Sequence, residues 1–457
     1  MALTHFIAEL RGALSAEACV LSDPTKEDFQ LALLRWSDVD VKIPGAIVQV
    51  ANESDAVKLA SAHRTPFVLV CGGHSLWSTI GPDGFILDLT KYKSVQVNAA
   101  EHQVTVAGGV LMKEFATALA SAGECAPVGN GNTIGLIPYC LGGGIGVATG
   151  LMGIACDNIR SAKIVLANGQ LVVANERQHP ELFWAIKGAG YYFGLILEIT
   201  LATYPLSVFG TPEGQHWIGN YLYPMDRAAE VFKVVESLVA TSSSRTAGLV
   251  MLIAPPPHHQ PMIAVVPHYF GDLEDGPKVF KELAALGPMM QSEKAPHVPN
   301  LSDHLDFACG KGGLRRFNLT GLQEFKIENC LQLTEVFQQL LESCPDASSS
   351  GYFIEWHCLP PHDMVRNSAF SHQSVHLWLH CLSWCQEQTS LTKVFESEAR
   401  AIDAMRQGTE PDSYIDLPHG TRTHPIERRF PDRDTLAKLR ALKKEFDPEG
   451  TFTKELL

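Results

Sequence analysis

Between Pro127 and Gly153 nine positions are glycine: Gly129, Gly131, Gly135, Gly142, Gly143, Gly144, Gly146, Gly150 and Gly153. A segment so poor in side chains loses too much backbone entropy to make a stable helix and has little to pack as a strand. Its backbone is therefore expected to lie against something that needs close approach, and a nucleotide cofactor is the obvious candidate. The spacing does not fit the dinucleotide fingerprint, because Gly142 and Gly144 would require glycine where the chain has Val147. A Rossmann domain is disfavoured.

A second glycine feature lies upstream, where residues 67–75 read Phe-Val-Leu-Val-Cys71-Gly72-Gly73-His74-Ser75. A short apolar strand empties into two glycines and then a single histidine, again a place for close backbone approach to a ligand. Around it the pattern predicts strand 46–50, a helix capped by Ser54 and running to His63, strand 67–71 and strand 85–89. Strands 94–98 and 103–107, a helix over 111–122 ending at Gly123, and a hairpin about Asn168-Gly169 follow. Pro205 closes this region. From about Gly210 to Met405, strands such as 249–254, 263–269, 352–359 and 374–382 alternate with amphipathic helices at 228–239, 278–286, 329–342 and 391–405. That pattern suits a mainly antiparallel sheet with helices on one face, and the chain reads as α+β. A charged helix over 432–446 follows near the end.

At 457 residues the chain is long for one core and suggests about two or three lobes. The net charge of -14, without a run of five like charges, argues against a nucleic-acid partner. Eleven cysteines contain no CxxC pair, so neither a zinc framework nor a disulfide scaffold is indicated and no metal is expected. In residues 1–20, Phe6, Ile7, Leu10 and Leu14 fall at helical spacing, but Glu9, Arg11 and Glu17 interrupt any signal-type core. No stretch offers about 18 uncharged apolar residues, so no membrane association is expected and the reading is an intracellular, cytoplasmic protein.

In their order these pieces resemble the berberine bridge enzyme-like flavoproteins, within the p-cresol methylhydroxylase and vanillyl alcohol oxidase group. The carriers are Cys71-Gly-Gly-His74-Ser75, Leu141-Gly-Gly-Gly-Ile-Gly146, Gly153-Ile-Ala-Cys-Asp157-Asn158, Asn168-Gly169, Leu182-Phe-Trp184-Ala-Ile-Lys-Gly188, Phe193-Gly194 and Leu439-Arg-Ala-Leu-Lys-Lys-Glu-Phe-Asp447-Pro448. The resemblance implies a two-lobed FAD-binding domain in residues 1–206, a substrate domain in 207–407 whose sheet roofs the flavin, and a C-terminal segment, 408–457, returning to the FAD domain. It implies FAD as cofactor, with His74 bonded to the flavin 8α-methyl. Gly131 stands where some relatives carry a second, cysteine tether, so one bond is expected. Cofactor-binding residues carried over are Cys71, Gly72, Gly73, His74, Ser75, Gly129, Thr133, Ile134, Gly135, Tyr139, Leu141, Gly142, Gly143, Gly144, Gly146, Ile196, Tyr414 and Asp416. Ile134 falls where relatives influence oxygen access to the flavin.

Oxidation at a flavin needs a substrate held over the ring and a base for the second proton. Two-residue alternation puts Phe353, Glu355, His357 and Leu359 on one face of their strand, and His376, Trp378 and His380 on one face of the next. Glu355, His357, His376 and His380 are thus candidate catalytic groups, a solvated outer face being the alternative. Leu76 replaces a tyrosine found in plant relatives, and Ile137-Pro138-Tyr139 replaces a histidine-bearing segment, so Tyr139 and Tyr414 become candidates for the missing hydrogen-bonding role. Tyr414-Ile415-Asp416 resembles a Tyr-x-Asn element beside the flavin. The leading expectation is an FAD-dependent oxidase of a small or medium metabolite in specialised biosynthesis, with hydride transfer to flavin N5 and molecular oxygen as acceptor. Its rivals are a redox-neutral cyclase or isomerase on the same fold and a non-catalytic flavin-binding protein. Substrate identity and oligomeric state stay open.

Overall fold

The structure, a computed structural model, describes residues 9, 11–61, 65–417 and 425–457. Most of the helix expected over 1–20, with Phe6, Ile7 and Leu10, and the end of the 54–63 helix lie outside these residues. Cys19–Leu21 is a strand, not a helix end, and pairs antiparallel with Ala46–Gln49.

The first lobe holds two sheets. One runs in the order Cys19–Leu21, Ala46–Gln49, Phe85–Asp88, Phe67–Val70, with the last three strands parallel. Helix Glu53–Ala60 is capped by Asn52, which accepts from the Asp55 amide at 2.9 Å, and not by Ser54. An acceptor three residues before the amide is what an N-cap supplies. The other sheet is antiparallel, in the order Lys93–Asn98, Gln103–Gly108, Leu195–Ala202, Ile159–Val165, Leu171–Asn175. The glycine-rich stretch does contain helix, contrary to expectation: Leu136–Leu141 and Thr149–Met152 are short turns of it. Leu136, Ile137, Cys140 and Leu141 are buried, and such packing compensates for weak intrinsic propensity.

The second lobe is one antiparallel roof. Its strands are β1 (Trp217–Pro224), β2 (Thr246–Ile253), β3 (Met262–Tyr269), β4 (Met290–Lys294), β5 (Leu314–Leu322), β6 (Gly351–His357), β7 (Leu377–Cys385) and β8 (Ile415–Asp416). They are ordered β4-β1-β3-β2-β6-β7-β5-β8. Strict alternation divides the side chains between two cores. Tyr352, Ile354, Trp356, Leu377 and Leu379 pack with helices Ala228–Ala240, Ile327–Ser343 and Leu391–Met405. Phe353, Trp378 and Leu382 share the core of the first lobe. One face of the sheet is thus covered by helices and the other packs on the first lobe.

The C-terminal segment does not return as one piece. Its strand β8 pairs with β5 and completes the roof, since Thr320 lies opposite Asp416 and Gly321 opposite Ile415. Contact with the first lobe comes later, where Arg429 donates to the Tyr192 hydroxyl at 2.8 Å and Lys443, on helix Arg433–Phe446, donates to Tyr192 O at 2.6 Å. Among the described residues no helix is long and apolar enough to cross a membrane.

Candidate functional site

The parallel sheet delivers the chain to Gly72, where a Cβ would sit 2.5 Å from Thr133 O and 2.6 Å from Gly135 N. Only glycine lets the turn dock so closely on the 129–135 loop. Gly73 follows with φ +71°, a left-handed conformation that glycine adopts without steric cost. Together they swing His74 against that loop, with Nε2 2.8 Å from Thr133 Oγ1. Thr133 has one hydroxyl proton and gives it to Cys309 O at 3.0 Å. Its oxygen must then accept from His74, so Nε2 carries the proton and Nδ1 presents a bare lone pair; this tautomer is assigned from the hydrogen-bond network. The ring stacks on Trp36 at 5.7 Å between centroids. Burial, with the Arg315 and Lys311 cations nearby, holds the imidazole down to about 4, so it is neutral at neutral pH.

The surroundings suit a flavin nucleotide. Among the described residues, the amides of Gly73, His74, Ser75 and Leu76 donate to no backbone or side-chain acceptor, whereas Gly72 N points at the Cys71 sulfur and Trp77 N finds Ser75 Oγ at 3.1 Å. Successive free amides about a left-handed residue form a concave anion site, the chemistry a pyrophosphate needs. They border a cleft lined by Arg35, Ser37, His74, Ser75, Leu76 and Ser78 among others. Cys71 sits behind the turn as a small, partly buried hydrophobe, its thiol pushed up to about 12 by desolvation. Thr133, Ile134 and Gly135 form the facing wall.

Several glycines expected to meet a cofactor meet the protein's own side chains. Cβ atoms at Gly129 and Gly144 would strike the Tyr139 ring at 2.6 and 2.8 Å, and one at Gly143 would lie 2.3 Å from the Phe370 ring. A Cβ at Gly146 would lie 2.4 Å from Val128 O, Leu141 packs under Gly190, and Gly142 terminates helix Leu136–Leu141. Ile196 is a core residue of the first lobe. Tyr139 turns back on its own segment: its hydroxyl donates to Ile145 O at 3.1 Å, and burial raises its pKa well above 10. It is a packed neutral phenol whose one proton goes to a backbone carbonyl.

On the roof, Glu355 is 1% exposed, which excludes a solvated outer face. Asn130 Nδ2 donates to its Oε2 at 2.7 Å, and His380 Nε2 lies 3.0 Å from the same oxygen. Oε1 is buried and has no hydrogen-bond partner among the described residues. Beside it, His357 donates from Nδ1 to Cys358 O at 2.8 Å and accepts at Nε2 from Trp378 Nε1 at 3.2 Å. Both ring nitrogens are occupied, and burial lowers the pKa of this imidazole. His376 precedes β7 rather than lying in it, and its carbonyl accepts from the His357 amide at 3.1 Å.

Tyr414 and Asp416 are not brought to this group. Asp416 lies opposite Thr320 and pairs with Arg406 at 2.8 Å on the helix-covered side, while Tyr414 lies under the Arg406 guanidinium, 4.3 Å from its ring. In a strand, neighbours point to opposite faces, and it is Ile415 that joins the first lobe's core. Sequence reasoning passed over Asn130, whose one signal is a polar side chain between two loop glycines. It also passed over Arg315, which is clamped between Trp36 and Trp384 at 4.4 and 4.5 Å and ties residues 36–37 to β5.

The FAD binding domain family matches residues 44–175. Over 448 residues the chain is 28% identical to the FAD-linked oxidoreductase hasG of Aspergillus fumigatus, covering 92% of each chain. Among solved structures, it superposes on BBE-like 1 of Physcomitrella patens with TM-score 0.83 and 18% identity over 100% of this chain and 98% of that one. Glucooligosaccharide oxidase from Acremonium strictum, described with a 6-S-cysteinyl, 8α-N1-histidyl FAD, gives TM-score 0.81 and 17% identity over 100% and 98%.

Proposed function

We propose that this chain, an FAD-linked oxidoreductase on the berberine bridge enzyme-like fold, is an oxidase of a small or medium, largely apolar metabolite in specialised biosynthesis. Bound FAD would supply the hydride acceptor at N5 and pass the electrons to molecular oxygen. The residues that would hold it are the free amides of 73–76 and His74, through one bond from its bare Nδ1. That nitrogen corresponds to the linkage described for the Acremonium oxidase, while Gly131 supplies no sulfur for a second.

The observation that carries the reading is the buried Glu355 carboxylate, facing through Asn130 the same 129–135 loop that holds His74. Glu355 Oε1, the free oxygen, takes the proton that leaves the substrate as its hydride departs, and His380 Nε2 stands 3.0 Å from Oε2. His357 is fixed by two hydrogen bonds and serves as scaffold. Phe317, edge-on to His380 at 5.5 Å and 41% exposed, offers an apolar rim for the substrate.

The test has two arms. Flavin should remain with acid-precipitated wild type and wash out of His74→Ala. Glu355→Gln should keep its flavin yet reduce it about 10²–10⁴-fold more slowly with substrate, as loss of a positioned base predicts. Full-speed reduction in Glu355→Gln would refute the assignment. A redox-neutral isomerisation is the second reading, favoured by the bulk of Ile134 over Gly131, where a Cβ would lie 2.7 Å from its Cδ1. Product mass decides: loss of two hydrogens supports oxidation, unchanged mass supports isomerisation.

A further inference from the structure

We infer that Asn130 is a positioning residue which fixes Glu355 Oε2 and aims its free oxygen at the substrate, making the proton acceptor depend on how the 129–135 loop is seated. The inference rests on the reading of Glu355 as proton acceptor.

Glu355 has two neighbours able to donate, but they are not equivalent. His380 Nε2 is 3.0 Å from Oε2, yet it counts among the buried nitrogens with no aligned hydrogen-bond partner. Asn130 Nδ2 is therefore the one aligned donor to this carboxylate among the described residues, at 2.7 Å. The amide orientation follows from the contact, since the reverse would set two acceptor oxygens against each other. A buried carboxylate accepting from a neutral amide is stabilised in its charged form, and the bond fixes Oε2 so that Oε1 is the free atom.

The loop is held well enough to transmit this. Gly129 O accepts from Ser302 Oγ at 3.0 Å, Asn132 Nδ2 donates to Asp303 at 2.8 Å and Asp306 at 2.7 Å, and Thr133 donates to Cys309 O. Those bonds stitch the loop to residues 302–309. Asn130 alone reaches across to β6. The titratable groups around Glu355 are His357 on its own strand, His376 and His380 at and before β7, and Tyr139 from the first lobe.

The experiment uses flavin-loaded Asn130→Ala, Asn130→Asp and Asn130→Gln. In Asn130→Ala the acidic limb of substrate-driven flavin reduction should move up by about one to two pH units, the equivalent of one hydrogen bond to a charged group. Asn130→Gln, which keeps an amide donor, should restore part of it. Independently of turnover, infrared spectra recorded against pH should show the carbonyl stretch of the protonated buried carboxyl appearing at higher pH in Asn130→Ala than in wild type, and absent from Asn130→Ala/Glu355→Gln. Should Asn130→Ala lose its flavin, the isosteric Asn130→Asp carries the test, because two carboxylates in contact must share a proton and produce the same band. An unmoved limb with an unshifted band overturns the inference. Full activity in Glu355→Gln would instead remove the acceptor reading, while the infrared band still reports whether Asn130 holds the carboxylate.

Discussion

Gly72→Ala asks whether docking of the 72–75 turn on the 129–135 loop is what places His74. The added methyl would lie 2.5 Å from Thr133 O and 2.6 Å from Gly135 N, both backbone atoms that no rotamer change can remove. Ordinary contact begins at about 3.5 Å, so the two segments must part by roughly 1 Å. The bond between His74 Nε2 and Thr133 Oγ1, now 2.8 Å, would then stretch beyond useful range. Overpacking costs about 1–3 kcal/mol and the lost hydrogen bond about 1 kcal/mol more, giving roughly 2–4 kcal/mol. Gly81→Ala is the comparison, because nothing lies within 4 Å of a Cβ there and the change should stay within about 0.5 kcal/mol. Denaturant unfolding measures the stability, and the flavin left on acid-precipitated protein measures the tether. Gly72→Ala should lose both stability and bound flavin relative to Gly81→Ala. Equal stability and a complete tether in the two variants would mean that the close approach is not what positions the histidine.

Two further outcomes follow from buried groups. His216 and His268 are fully buried with Nε2 and Nδ1 3.3 Å apart, and burial holds His216 down to about 3. The unfolded chain protonates near 6.5 and so binds more protons below that pH; stability is complete above it and falls through the window from 6.5 to about 3. His216→Phe should thus gain about 2 kcal/mol on wild type between pH 7.5 and pH 5, whatever its cost at neutral pH, and parallel stability curves would contradict this. Ile134→Ala should open the loop above Gly131 and quicken reoxidation of the reduced protein by oxygen roughly tenfold, about 1.4 kcal/mol of barrier, in stopped-flow mixing. An unchanged rate would leave Ile134 as packing alone.

What could be read from the sequence is what local period encodes. Alternation at 352–357 separated Glu355 and His357 from Tyr352, Ile354 and Trp356, and the structure divides them the same way because one face packs on helices and the other on the first lobe. The two glycines before His74 were legible for the same reason: one turn imposes their conformation. Tyr414 and Asp416 were not, since a strand two residues long has no period, and its facing is set by pairing with β5. A one-residue difference in register inverts the face, which a motif match cannot detect. The glycine cluster misled in another way. Need for close approach was real at Gly143 and Gly144, but the approaching groups are Phe370 and Tyr139, and the first of these comes from a distant part of the chain.

Asn130 shows where the local reading ends and why it matters to the chemistry. Its partner stands 225 residues away, beyond any spacing rule, yet the bond joins the two halves of the site. The 129–135 loop holds the tautomer of His74 through Thr133 and the free oxygen of Glu355 through Asn130, so cofactor attachment and proton acceptance share one short support. The support is fixed to residues 302–309 by Ser302, Asp303 and Cys309 rather than by the strands that carry either functional group. Disturbing that segment should therefore weaken attachment and proton transfer together, whereas substitutions at His74 or Glu355 separate them.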